Sequence, residues 1–276
     1  MNNDLEELLH DLIAIRSIDS KKDSLKAAIA YIKAYFASCK EFKTYDFDFD
    51  VAPCLLVAKE LFIDYDIIFS VHIDVVDGKD SQFEAITKDG KIFGRGAADM
   101  KAACAVVMQM MKELATRPES NKVAVLFTSD EETTSVSGKR AILDSRLQGK
   151  CVVIPDTKCW GFDHLVNEAK GIVFMRLSTR AIYNQGNPKS AIALVLEDLN
   201  AVKSIFKNDP AVWGSTMNIG RIDGGKNGET IADSAEVFLD VRFSREETAK
   251  NCVEKISAVL QYAHIEILGN EPAVYI

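Results

Sequence analysis

Three apolar runs, each closing on residues that ligate metal ions, constrain this chain more than anything else in it. They are Asp66 to Asp74 (DIIFSVHID), Lys122 to Glu132 (KVAVLFTSDEE) and Cys151 to Asp156 (CVVIPD). Each has the length of a strand; the first two are too continuously apolar to face water on one side and read as buried strands, and the third reads as a strand ending in an acid. Between and before them apolar residues recur at helical spacing. Met100 to Leu114 and Ser137 to Leu147 are helices on this reading. Leu5, Leu8, Leu9, Leu12 and Ile13, then Leu25, Ile29, Ile32 and Phe36, mark two more, separated at Asp19 and Ser20. Lys91 to Asp99 (KIFGRGAAD) is a glycine-bearing turn. Strands alternating with helices imply an α/β fold, layered on a largely parallel sheet.

After about Lys170 the pattern changes. Gly171 to Ala181 alternates as a strand, Ser190 to Phe206 has helical period, and Thr216 to Ile222 and Ala235 to Phe243 are strands joined by a turn-rich loop. Thr248 to Tyr262 is a helix and His264 to Leu268 a last strand. The order β-α-β-β-α-β is that of a ferredoxin-like α+β unit. A chain of 276 residues has room for both parts, and the expected division is a metal-binding domain over 1–168 and a smaller domain over 169–276.

Composition excludes several function classes. The formal net charge is −8 and no Lys/Arg block interrupts it, which argues against a nucleic-acid or anionic-membrane partner. The N-terminus, MNNDLEELLHDLIAI, lacks the basic start of a signal peptide, and no apolar run approaches the ~20 residues of a membrane span. The six cysteines include no CxxC pair, and Cys104 and Cys151 sit in apolar runs. Buried free thiols in a reducing, cytoplasmic setting are the expectation.

The chemistry lies at the strand ends. His72 and Asp74 are two apart, so on a strand both point the same way, and the carboxylate can hold one ring nitrogen while the other faces a metal. Asp99 falls between the glycine turn and a helix. In open α/β sheets ligands gather at the carboxyl ends of strands, which is where Glu131, Glu132 and Asp156 also stand. Four converging carboxylates repel one another unless a cation neutralises them. One histidine with several carboxylates suits zinc, manganese or cobalt. Taken singly, each piece has a plainer reading: a structural His-x-Asp, an acidic helix N-cap, a turn aspartate. The metal reading rests on all four segments together.

The segments SVHIDVVDG, FGRGAADMKAA and FTSDEE, in that order and spacing, resemble the M20 metallopeptidases, a group that includes acetylornithine deacetylase, succinyl-diaminopimelate desuccinylase and glutamate carboxypeptidase. The resemblance continues through VVIPD, MNIGRIDGG and FLDVRF. It implies a zinc-peptidase-like three-layer catalytic domain with an inserted ferredoxin-like lid that also forms a homodimer. It implies two zinc ions, with cobalt or manganese as alternatives. Asp99 would bridge them, His72 and Asp156 would complete one site, and Glu132 would belong to the other. Glu131 would be the general base, Asp74 the residue that orients His72, and Arg242 the lid arginine that holds a substrate carboxylate. A cis peptide would follow Asp99. The implied activity is hydrolysis of N-acyl amino acids or small peptides; the alternative is an impaired homologue that binds or dimerises.

Three departures from the family pattern stand out. The second ion is completed in the family by a histidine near the C-terminus, and His10, His164 and His264 do not match it. The chain to Ile276 therefore offers one fairly complete metal site and one incomplete one. A lid histidine is replaced in the stretch Ala181-Ile182-Tyr183. Glu229 falls where the family presents an asparagine, a change that disfavours acidic substrates and favours basic ones.

Overall fold

The first helix, α1 (Asn3–Ala14), and the second, α2 (Lys22–Phe36), bury the apolar stripes that define them: Leu8, Leu9, Leu12, Ile13, Leu25, Ile29, Ile32 and Phe36 are all in the core. The protein is described here by a computed structural model covering residues 3–18, 20–49, 52–61, 64–133, 135–156, 166–184, 186–206 and 213–275. Asp19, Cys159 and His164 fall outside the described residues. The chain forms two compact units, Met1–Phe162 and Asp163–Ile276.

In the first unit the strands are β1 (Lys43–Asp48), β2 (Pro53–Ala58), β3 (Asp64–His72), β4 (Ile86–Lys88), β5 (Lys91–Phe93), β6 (Val123–Thr128) and β7 (Gln148–Val153), with helices α3 (Ala102–Leu114) and α4 (Val136–Ser145). Five strands form one sheet in the order β1-β2-β6-β3-β7. β3 runs parallel to both β6 and β7, as expected, while β1 and β2 add an antiparallel margin that the sequence reading lacks. Leu55, Val57, Val123, Val125 and Phe127 pack on one face against α1, α2 and α3; Cys54, Leu56, Ala124 and Leu126 pack on the other with Ala141 of α4. Burial on both faces is why these strands are apolar throughout. The short β4–β5 hairpin turns on Asp89-Gly90, both at positive φ, the residues such a two-residue turn demands.

No basic side chain closes the last turn of α1 from within the helix. Lys101 does it from outside: Nζ donates to the carbonyl oxygens of Leu12 (2.8 Å) and Ile15 (2.7 Å). The side chain is fully buried, and burial pushes its pKa down to about 8.

The second unit has β8 (Glu168–Ala169), β9 (Gly171–Arg180), α5 (Ala191–Ile205), β10 (Thr216–Gly224), β11 (Ser234–Phe243), α6 (Ala249–Ser257), β12 (His264–Glu271) and β13 (Val274–Tyr275). From β9 to β12 the order is the expected β-α-β-β-α-β, and the antiparallel sheet runs β10-β11-β9-β12. Val173, Met175, Leu177, Val237, Leu239 and Val241 alternate toward α5 and α6. Thr248 caps α6 by accepting the Asn251 N–H. That helix is shorter than its apolar spacing predicts. Asp198 on α5 explains the difference: its buried carboxylate accepts the N–H groups of Gln261 (2.8 Å), Tyr262 (2.9 Å) and Ala263 (2.7 Å), drawing that stretch out of a helix and into a turn that leads to β12.

Candidate metal centre

β3 delivers His72 to the carboxyl end of the sheet, buried between β6 and the segment beyond β7. Nδ1 lies 3.1 Å from the backbone carbonyl oxygen of Asp74 and 3.5 Å from Asp74 Oδ1. Only an N–H is drawn to a carbonyl oxygen, so Nδ1 carries the proton of the neutral ring and the lone pair sits on Nε2. Nε2 faces three carboxylates: Asp99 at 3.1 Å, Glu131 at 3.7 Å and Asp156 at 3.8 Å. Burial works against a charged imidazole here, but the hydrogen bond and charge of Asp74 and the charges of Glu131 and Asp156 outweigh it and raise the pKa to about 9. The site thus draws positive charge to Nε2, which is what a bound cation supplies.

The ligand atoms of His72, Asp99 and Asp156 all lie within 4.8 Å of one another, and among the described residues this is the one such group of three. Glu132 offers no atom to it, although the charge of Asp99 acts on its carboxyl, which burial and Asp99 both push up. Glu131 is exposed at the rim. Burial raises its pKa, the imidazole of His72 lowers it, and Asp156, Asp74 and Asp99 raise it again. The three acids after β6 divide their work. Asp130 is the helix cap: its carboxylate accepts the Ser137 N–H at 2.7 Å at the start of α4. Glu131 is turned to His72, and the Glu132 N–H donates to Asp74 Oδ2 at 2.9 Å. One fully buried carboxylate, Asp74, therefore touches both the ring of His72 and the backbone of Glu132.

Asp99 precedes a cis peptide bond to Met100, and both residues depart from helical dihedrals just before α3. Gly96, at φ +80°, opens this segment, and a Cβ there would stand 2.7 Å from Val75 Cγ1. The Val75 N–H donates to Ser17 O at 2.9 Å, and the Ser17 hydroxyl donates to Ile73 O at 2.6 Å, so the residues flanking Asp74 are pinned to the chain after α1.

The remaining sequence-derived site residue, Arg242, is on β11 in the second unit. Its Nε and Nη2 donate to the two carboxylate oxygens of Asp240 at 2.8 and 2.9 Å. Tyr183 is exposed and its hydroxyl donates to Asp233. Asn227 accepts from the N–H groups of Glu229 and Thr230 and from the Thr230 hydroxyl, so it shapes the loop that carries Glu229.

Sequence reasoning missed Met100, Lys101 and Cys104. The His72 N–H donates to Met100 Sδ (3.2 Å), and the Cys104 thiol donates to His72 O (3.1 Å). Burial pushes the Cys104 thiol far up, so it keeps the proton it donates. The lysine had a visible signal, a lone charge among apolar residues at a helix start. The sulfur contacts had none.

The chain matches the model of peptidase family M20/M25/M40 over residues 68–273. It is 30% identical over 235 residues to a succinyl-diaminopimelate desuccinylase of Acidovorax ebreus (strain TPSY), an alignment that spans 75% of this chain and 59% of that protein. A second succinyl-diaminopimelate desuccinylase, from Methylibium petroleiphilum, is 27% identical across 96% of this chain and 76% of its own. Among solved structures, aminopeptidase PepT from Bacillus cereus superposes with a TM-score of 0.76 at 19% identity, covering 99% of this chain and 77% of that one, a likeness of fold. With its family match running from the strand that bears His72 to the end of the second sheet, the chain belongs to peptidase family M20/M25/M40.

Proposed function

We propose that this chain, with its metal-binding unit and lid, acts as a metal-dependent hydrolase of amide bonds, on N-acyl amino acids or short peptides. The observation that carries this reading is the meeting of His72 Nε2 with Asp99 and Asp156 within 4.8 Å, with Glu131 beside them. His72, Asp99 and Asp156 would hold the ion, and the one-imidazole, two-carboxylate set suits zinc, with cobalt or manganese as alternatives. When bound, such an ion polarises a carbonyl and lowers the pKa of water. Asp74 holds the ring of His72 through Nδ1. Glu131 takes the proton of the attacking water and returns it to the leaving nitrogen, and its raised pKa suits a group that must do both. Arg242 would hold a substrate carboxylate in exchange for Asp240. The desuccinylase relatives point to an N-succinyl amide, against the preference for basic substrates that Glu229 implies, and comparison of N-acetyl with N-succinyl substrates separates the two.

Glu132 and Asp99 alone would retain a second ion weakly, since neither is an imidazole. Purified chain dialysed after zinc loading is expected to keep about one equivalent, with three protein ligands as in catalytic zinc sites. His72→Ala should keep none. N-acetyl and N-succinyl amino acids and dipeptides, assayed with both proteins, test the activity. Equal zinc in the two proteins would overturn the metal assignment. Zinc lost with His72 but no turnover of any substrate would overturn the hydrolase reading and favour a binding role.

A further inference from the structure

β3 loses one of its neighbours before it reaches the metal centre. β7 pairs with it as far as Phe69↔Val153, whereas β6 stays paired through His72↔Thr128. The Ile73 N–H donates to Thr128 O at 2.9 Å. Successive residues of a strand present their backbone groups to opposite sides, so His72 turns its own N–H and C=O away from β6, to the side where β7 has ended. Two sulfur atoms stand there in place of a strand. Met100 Sδ accepts the His72 N–H at 3.2 Å, and the Cys104 thiol donates to the His72 carbonyl at 3.1 Å. Met100 is 1% and Cys104 0% exposed, so water does not compete for either bond.

A thioether is a weak acceptor and a thiol a weak donor. Together they nonetheless satisfy both backbone groups of one buried residue, which would otherwise be left without partners. Both also belong to the segment that begins with Asp99. The stretch of chain that presents Asp99, the first of the two carboxylate ligands, is therefore the stretch that grips the backbone of the histidine. We infer that Met100 and Cys104 are positioning residues that clamp the His72 backbone and so fix its Nε2 against Asp99 for metal binding. This rests on the reading of His72 as a metal ligand. The clamp acts through the main chain, whereas Asp74 acts on the ring, so the two hold different degrees of freedom of one side chain.

Cobalt(II) is the probe, its affinity read by competition with a chromophoric chelator and its coordination by the visible absorption band. Cys104→Val fills nearly the same volume without a donor, and Cys104→Ser keeps a donor at the cost of polarity. Met100→Leu keeps the bulk and removes the acceptor, a swap that cores tolerate. Groups that orient a ligand typically contribute 10- to 100-fold to metal affinity, so Cys104→Val and Met100→Leu are each expected to weaken cobalt binding about tenfold and to change the band. Cys104→Ser should bind as the parent does. A packing role gives the reverse order, with Val neutral and Ser impaired. Apo-protein melting curves establish that each variant folds, and Met100→Leu carries the test if a Cys104 variant does not. Parent-like affinity and spectrum in both Cys104→Val and Met100→Leu would overturn the clamp. A parent that binds cobalt no more tightly than His72→Ala would instead overturn the metal reading, and the clamp with it.

Discussion

Replacing Glu131 by Gln is expected to lower amide hydrolysis by about 100- to 10,000-fold, the span associated with losing a general acid–base group, while zinc stays bound. The geometry separates the two effects. Glu131 is 3.7 Å from His72 Nε2, yet the compact ligand group is formed by His72, Asp99 and Asp156 without it. A glutamine has nearly the same shape and accepts no proton near neutral pH, so it removes proton transfer and leaves the donors of the ion untouched. The measurement is turnover of the best N-acyl substrate with parallel metal analysis. Turnover within a few-fold of the parent would remove Glu131 from the mechanism. Loss of zinc along with activity would recast it as a ligand.

The second large effect concerns stability. Asp198→Ala should destabilise the second unit by about 3–5 kcal/mol, because three backbone N–H groups lose a charged acceptor at once and buried donors left unsatisfied cost about 1–3 kcal/mol each. These N–H groups belong to Gln261, Tyr262 and Ala263, directly before β12, whose pairing with β9 starts at His264↔Ser178. Asp198→Asn should recover little, since its amide NH2 replaces one acceptor with a donor. Urea unfolding gives the magnitude, and hydrogen exchange at residues 261–263 locates it. A change below about 1 kcal/mol, within reach of an ordinary surface substitution, would show that water replaces the carboxylate without loss.

The candidate metal centre was legible in the sequence because β3 and β6 carry apolar runs that pack on both faces of the sheet, while β7, an edge strand with Cys151 and Val152 exposed, shows the same apolar run without the burial. The apolar runs of β3 and β6 stop abruptly, and the first ionisable residues beyond them, His72 and the acids after Ser129, stand at the sheet's carboxyl end. Asp130 shows the limit of that logic. It shares the acidic run with Glu131 and Glu132 yet caps α4, and nothing in the run itself tells a cap from a residue turned to the site. The β1–β2 hairpin was hidden for another reason: the alternation at Tyr45 and Phe47 is too short to stand out. The end of α6 was hidden because it is decided by Asp198, a residue on another helix. The grip of Met100 and Cys104 on His72 depends on where β7 stops and on dihedrals at Asp99 and Met100 that lie outside the helical range, neither of which has a local signature.

His72 and Asp99 are 27 residues apart along the chain, and Asp156 lies farther on, beyond β6, α4 and β7. An unfolded chain brings no two of these groups together, so an ion that needs all three recognises the folded first unit alone. Binding then becomes part of the folding equilibrium. An ion at a hundred times its dissociation constant would add about 2.7 kcal/mol to stability. Nor does a ribosome finish the site early: the histidine is synthesised long before its last partner, and the nascent chain can hold the ion only once the strand leading to Asp156 has docked. If the three residues hold the ion as proposed, a chelator is expected to act on the metal-loaded unit as a mild denaturant, lowering its melting temperature with the logarithm of the free ion withdrawn.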